Sequence, residues 1–107
     1  MSPRDRSAEV FAALADPTRR RVIDHLSRKG SASATELAGT LPVSRQAVAK
    51  HLALLEDVGL VAGERAGRER RFRLTPGPLR DAVSWMAAVG SAWDERLDAL
   101  RRNLRPR

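Results

Sequence analysis

The amino-acid sequence predicts a mainly α-helical chain with one small β-hairpin ahead of a long final helix. Three observations carry that prediction. Apolar residues recur at helical spacing over most of the chain. Cap and turn residues punctuate the helical stretches at Asp16-Pro17, Lys29-Gly30-Ser31, Pro42-Val43-Ser44 and Gly59. Between Leu60 and Leu74 the spacing changes to alternation around Ala66-Gly67.

The first helix is expected over residues 7–15, with Val10, Phe11 and Leu14 on one face. Asp16 then caps a second helix and Pro17 suits its first position. That helix runs to about Ser27 with Val22, Ile23 and Leu26 inward. Ser33-Ala34-Thr35-Glu36 has the form of a capping box and opens a third helix to about Leu41. Ser44 caps a fourth helix to about Val58, and Gly59 suits the left-handed residue that closes it. Leu60 to Arg65 and Arg68 to Leu74 form the hairpin, with Phe72 and Leu74 on one face and Glu69, Arg71 and Arg73 on the other. A last helix fills about 78–104 after Thr75-Pro76-Gly77-Pro78. Two short helices joined by a tight turn and followed by a hairpin spell a winged helix-turn-helix. The helix-turn-helix covers about 33–58 and the wing about 60–75 of a single domain over residues 1–107.

Composition narrows the function. The chain has 107 residues and a net charge of +7, from 20 Lys+Arg against 13 Asp+Glu. Strong positive charge on so small a chain suggests a polyanionic partner. There is no Cys, so disulfides, thiolate metal sites and Cys nucleophiles are excluded. No apolar run approaches the ~20 residues of a membrane span, and the start of the chain lacks a secretory signal, so a cytoplasmic protein is expected. Two His and no Tyr leave a thin catalytic inventory. Asp94 and Glu95 point about 100° apart on a helix and form no working pair, so an enzyme is not expected.

On a helical wheel Val48, Leu52, Leu55 and Val58 cluster inward, while Gln46, Ala49, Lys50 and Ala53 fall opposite. Long polar side chains reach base edges or phosphates, and small alanines let a helix lie close in a major groove. Arg45 flanks the helix start beside Ser44, where free backbone N–H groups also favour phosphate. Thr35 at the third helix joins these candidates. His51 falls on the apolar side; its first expected role is a half-buried, hydrogen-bonded imidazole that orients the helix, and its second a phosphate contact. The wing carries Arg65, Arg68, Arg70, Arg71 and Arg73 against Glu64 and Glu69. Arg near such a tip can follow the backbone or enter a minor groove.

In the last helix Leu79, Val83, Met86, Gly90, Trp93, Leu97, Leu100 and Leu104 follow each other in steps of four and three, a heptad seam. At 1.5 Å per residue such a helix is about 39 Å long and outreaches the rest of the domain. The seam is therefore expected to meet a second copy of the chain, with Val10, Phe11 and Leu14 of the first helix contributing. Trp85 and Trp93 supply large apolar area for that contact. A dimer would read half-sites about one DNA turn (~34 Å) or a multiple apart, on a near-palindromic operator in double-stranded DNA. The alternative is a winged helix used as a protein–protein interaction module, disfavoured by the small, basic outward face of the fourth helix.

These residues carry a family resemblance. Ala13-Leu14-Ala15-Asp16-Pro17-Thr18-Arg19-Arg20-Arg21, Thr35-Glu36-Leu37-Ala38, Ser44 through Leu52, and Leu54-Leu55-Glu56-Asp57-Val58-Gly59-Leu60-Val61 resemble the ArsR/SmtB family of winged-helix repressors. The ending Trp93-Asp94-Glu95-Arg96-Leu97-Asp98-Ala99-Leu100 looks like a branch known for metal-independent members. The resemblance implies a homodimer built on the first and last helices, operator binding, and repression, often of the protein's own gene. It does not extend to metal sensing. Metal-sensing members carry a Cys-x-Cys motif at the third helix, where this chain has Glu36-Leu37-Ala38. The other common site uses Asp and His on the last helix, whereas His25 and His51 lie elsewhere. Four ligands cannot be assembled at zinc-site spacing, so no metal and no cofactor are expected.

Overall fold

The computed structural model describes the backbone of residues 3–104 and the side chains of residues 8–103. The order is α1 (Pro3–Leu14), α2 (Pro17–Lys29), β1 (Ala32–Ser33), α3 (Ala34–Thr40), α4 (Arg45–Val58), β2 (Val61–Ala66), β3 (Glu69–Leu74) and α5 (Pro76–Leu104). All five expected helices and the hairpin are present. The caps are the ones the sequence names. The Asp16 carboxylate accepts from the Arg19 N–H at 2.9 Å, Ser33 Oγ from Glu36 N–H at 3.2 Å, and Ser44 Oγ from Ala47 N–H at 3.1 Å. Each satisfies a backbone donor that the first turn of a helix leaves without an intrahelical partner. Gly59 closes α4 at φ 86°, in the left-handed region.

Three details differ from expectation. Helix bounds shift: α1 starts at Pro3 rather than residue 7, α2 continues past Ser27 to Lys29, and α5 begins at Pro76, within the expected break, rather than at about 78. The hairpin turn is Gly67-Arg68, since Ala66 pairs with Glu69. A positive φ of 66° at Gly67 and none at Arg68 is the pattern of a turn whose first central residue must be glycine. The third difference is β1, which the sequence does not announce. Ala32 pairs with Phe72 and Ser33 with Arg71, making a sheet in the order β1-β3-β2 with β3 at its centre. Two residues are too few to show a periodicity, so only the pairing with β3 defines this strand.

Val10, Val22, Leu26, Leu37, Val48, Leu52, Leu55 and Leu60 are fully buried and gather α1, α2, α3, α4 and the start of the hairpin around one core. Phe72 and Ala82 close it from β3 and α5. No buried side-chain polar atom lacks a hydrogen bond among the described residues. α5 continues well past this core. The chain measures 72 × 32 × 20 Å with a radius of gyration of 18.7 Å, against about 13 Å for a compact domain of this length.

Candidate nucleic-acid interface

α3 and α4 are joined by the turn Leu41-Pro42-Val43-Ser44. Burial of Val48, Leu52 and Leu55 orients α4 and thereby decides what faces outward. Arg45, Gln46, Ala49, Lys50 and Ala53 are exposed, as are Thr35 on α3 and the capping Ser44. The outward face is therefore polar at its long side chains and small between them. Neither Arg45 nor Lys50 is in an ion pair among the described residues.

His51 is half-buried, as expected, but its ring makes no hydrogen bond among the described residues. It lies near Asp16, whose carboxyl is held below the usual carboxylate range first by the Arg19 backbone N–H and then by Arg19 and His51 charge. The Arg19 Nε donates to the Ala13 carbonyl at 2.8 Å and an Arg20 nitrogen to the Leu14 carbonyl at 2.8 Å. Both guanidiniums thus cap the C-terminus of α1, where carbonyls lack intrahelical partners.

The wing divides its arginines into two groups. Arg65 and Arg68, beside and within the turn, are exposed and carry no ion pair among the described residues. Arg70 and Arg71, expected as DNA contacts, close ion pairs within the chain. Arg70 reaches the Glu56 carboxylate on α4 at 2.7 Å, with its guanidinium carbon 5.4 Å from the Phe72 ring centroid. Arg71 reaches Glu36 on α3 at 2.7 Å and Glu69 at 2.9 Å, and donates to Ser31 Oγ and the Ser31 carbonyl at 3.3 Å. The reason is register. Phe72 enters the core; Arg70, two residues back on the same face, lies over its ring and meets Glu56 of α4, while Arg71 on the opposite face meets Glu36 of α3. The Arg71 hydrogen bond also holds the Glu36 carboxyl below its ordinary range. Arg73 makes a looser, exposed pair with Glu64 at 3.3 Å.

Sequence reasoning missed Glu56, Gly63, Ser31 and the outward role of Glu36. One signal was present: a glycine inside a strand often marks a close approach, and Gly63 is such a residue. A Cβ there would lie 2.6 Å from Arg70 Nε and 2.9 Å from Phe72 Cε1.

The seam of α5 splits at the edge of the core. Leu79 packs against the core, and Phe11 and Leu14 of α1 are half-buried there as well. Val83, Met86, Gly90, Trp93, Leu97 and Leu100 are exposed, Trp93 at 56% and Leu97 at 42%. The Leu104 side chain lies outside the described residues. Val10 differs from expectation: it is 1% exposed and belongs to the chain's own core, because the face of α1 that packs inward is centred on Val10 and Ala13. Trp85, 56% exposed, lies beside Phe11 with ring centroids 5.5 Å apart and links α1 to the apolar face of α5. Val89 and Leu54 add exposed apolar area that the heptad count omits.

Among the described residues no group of three or more His, Cys, Asp or Glu could hold a metal ion, and no helix is long and apolar enough to cross a membrane.

Comparison with known proteins agrees with this geometry. A helix-turn-helix domain model matches residues 14–64. The arsenical resistance operon repressor of Escherichia coli K12 is 32% identical over 100 residues, covering 90% of this chain and 82% of that protein. An ArsR-like transcriptional regulator from Rhodococcus sp. RHA1 superposes with a TM-score of 0.81 at 41% identity, over 96% of both chains. The homodimeric winged helix-turn-helix DNA-binding domain of Mb0332 from Mycobacterium bovis superposes with a TM-score of 0.63 at 28% identity, over 87% of this chain and 82% of that one. With its helix-turn-helix, its wing and its long last helix all matched in these relatives, the chain belongs to the ArsR family of winged helix-turn-helix transcriptional regulators.

Proposed function

We propose that the chain acts as a homodimeric, sequence-specific repressor that reads double-stranded DNA without a metal cofactor and controls its own gene among its targets. The observation that carries this is the outward face of α4, where Arg45, Gln46 and Lys50 stand exposed around Ala49 while Val48, Leu52 and Leu55 anchor the helix. Arg45 and Gln46 would meet base edges, and Thr35, Ser44 and Lys50 phosphates. Arg65 and Arg68 would follow the backbone into the neighbouring minor groove. His51 would steady the helix from its half-buried side.

Dimerisation follows from the exposed stripe of α5. Val83, Met86, Trp93, Leu97 and Leu100 form an apolar row on a helix that outruns its own core, and such rows mark protein contacts. The homodimeric state of the Mb0332 domain supports the same arrangement here. Two copies would place two copies of α4 about one helical turn apart, on a near-palindromic operator. Independence from metal is supported by the absence of Cys from the whole chain and of His from α5. A repressor's role is supported by the E. coli relative.

A gel shift on duplex DNA spanning the chain's own promoter tests this. Wild type is expected to give a specific shift that an unlabelled scrambled duplex does not compete away. Arg45→Ala with Gln46→Ala should abolish the specific shift while sedimentation still reports a dimer. Unchanged sequence preference in that variant would refute α4 as the reading helix.

A further inference from the structure

Glu56 lies in the last turns of α4, on the flank that meets the hairpin. Its Oε2 accepts from the Gly63 backbone N–H at 3.1 Å and from the Arg70 guanidinium at 2.7 Å. One carboxylate oxygen therefore holds one hydrogen bond from β2 and one from β3. Arg70 reaches it by lying across the sheet over position 63, its guanidinium against the face of Phe72. That path exists because residue 63 has no side chain: a Cβ would sit 2.6 Å from Arg70 Nε and 2.9 Å from Arg70 Cζ. The next residue, Arg71, points to the opposite face of the hairpin and binds Glu36 on α3. Two neighbours on the central strand thus tie the wing to both helices of the helix-turn-helix.

We propose that Glu56 is a positioning residue for DNA recognition. It fixes the wing against α4 so that Arg65 and Arg68 stand at a set distance from Arg45, Gln46 and Lys50. The proposal rests on the DNA-binding function given above. Its sign is opposite to simple electrostatics. An acidic side chain beside a polyanion weakens binding by Coulomb repulsion, so its removal alone should tighten binding to every duplex. A tether predicts the reverse on the specific site, because the loosened wing must be ordered again on binding, which lowers affinity.

The test uses the full chain and a duplex that the wild-type protein selects from a random-sequence library, alongside a scrambled duplex. Glu56→Gln is expected to weaken binding to the selected duplex by about tenfold, equivalent to ordering roughly one backbone residue. Binding to the scrambled duplex should be unchanged or tighter. Arg70→Ala should match it, and the double variant should be no weaker than either single one, as a shared interaction requires. Gly63→Ala should give the same loss with every charge retained, which separates geometry from charge.

Binding of the selected duplex by Glu56→Gln as tightly as by wild type would overturn the proposal. So would an equal loss on both duplexes in Arg70→Ala with the salt slope reduced by about 0.9, since that marks a direct phosphate contact. If wild type selects no sequence at all, the DNA-binding function falls and this inference with it. If wild type selects one and Glu56→Gln is indifferent, this inference falls alone.

Discussion

The carboxyl groups of Asp16 and Glu36 both titrate below their ordinary values of 3.8 and 4.5 in the folded chain. For Glu36 the leading cause is the hydrogen bond from Arg71, and for Asp16 the backbone N–H of Arg19. A carboxyl depressed in the native state adds stability above its unfolded pKa, and that stability is lost as pH falls through the native value. Thermal melting should therefore be flat from pH 7 down to about 5 for these groups and decline below about 4. Glu36→Gln should melt lower than wild type at pH 7, with a shallower decline in acid; an acid limb as steep as wild type would show that Glu36 is not one of its sources. At the same scale, Ser44→Ala removes the cap of α4. It should cost about 1 kcal/mol, roughly 4–8 °C in Tm for a chain of this size, measured at fixed protein concentration because a dimer's melting depends on it. Asp16, Ser33 and Ser44 were all identifiable from sequence, because a cap is a contact across three residues. The partners of Arg70 and Arg71 were not: Glu56 is 14 residues away from one and Glu36 35 residues away from the other.

The elements differ in how much of themselves the sequence displays. α4 and α5 show their faces through period alone, and Val48, Leu52 and Leu55 are buried as the wheel requires. β1 shows nothing, being two residues paired to a strand 40 positions away, Ala32 to Phe72. α5 is the element whose prediction is most direct. Leu97→Asp places a charge in the exposed stripe; sedimentation should then show a monomer, and the specific gel shift should disappear. Gly90 gives a subtler check. Nothing lies within 4 Å of the position a Cβ would take there, so Gly90→Ala should stabilise the isolated helix by about 1 kcal/mol. If a partner helix crosses at this point, the same methyl group should weaken the dimer. Self-association as tight as wild type in Gly90→Ala would place the crossing elsewhere on the stripe.

At the scale of the whole molecule, charge and shape act together. The net charge of +7 is not spread evenly in its use. Arg19, Arg20, Arg70 and Arg71 are engaged with carbonyls or carboxylates, whereas Arg45, Lys50, Arg65 and Arg68 carry no ion pair among the described residues. Four such cations on each of two copies, at about 0.9 per phosphate, bound the slope of log K against log salt near −7. A slope steeper than that would mean further cations join the contact, and a slope near zero would remove the wing and α4 from the interface. Sequence alone determined the helices, their caps, the hairpin, the apolar stripe of α5 and the outward face of α4, because each rests on spacing within a few residues. Only the tertiary structure decided which wing arginines close ion pairs within the chain, that Val10 belongs to the chain's own core, and that a third strand completes the sheet. Those outcomes depend on which side chains meet once distant segments pack, and neither period nor propensity along the chain encodes that meeting.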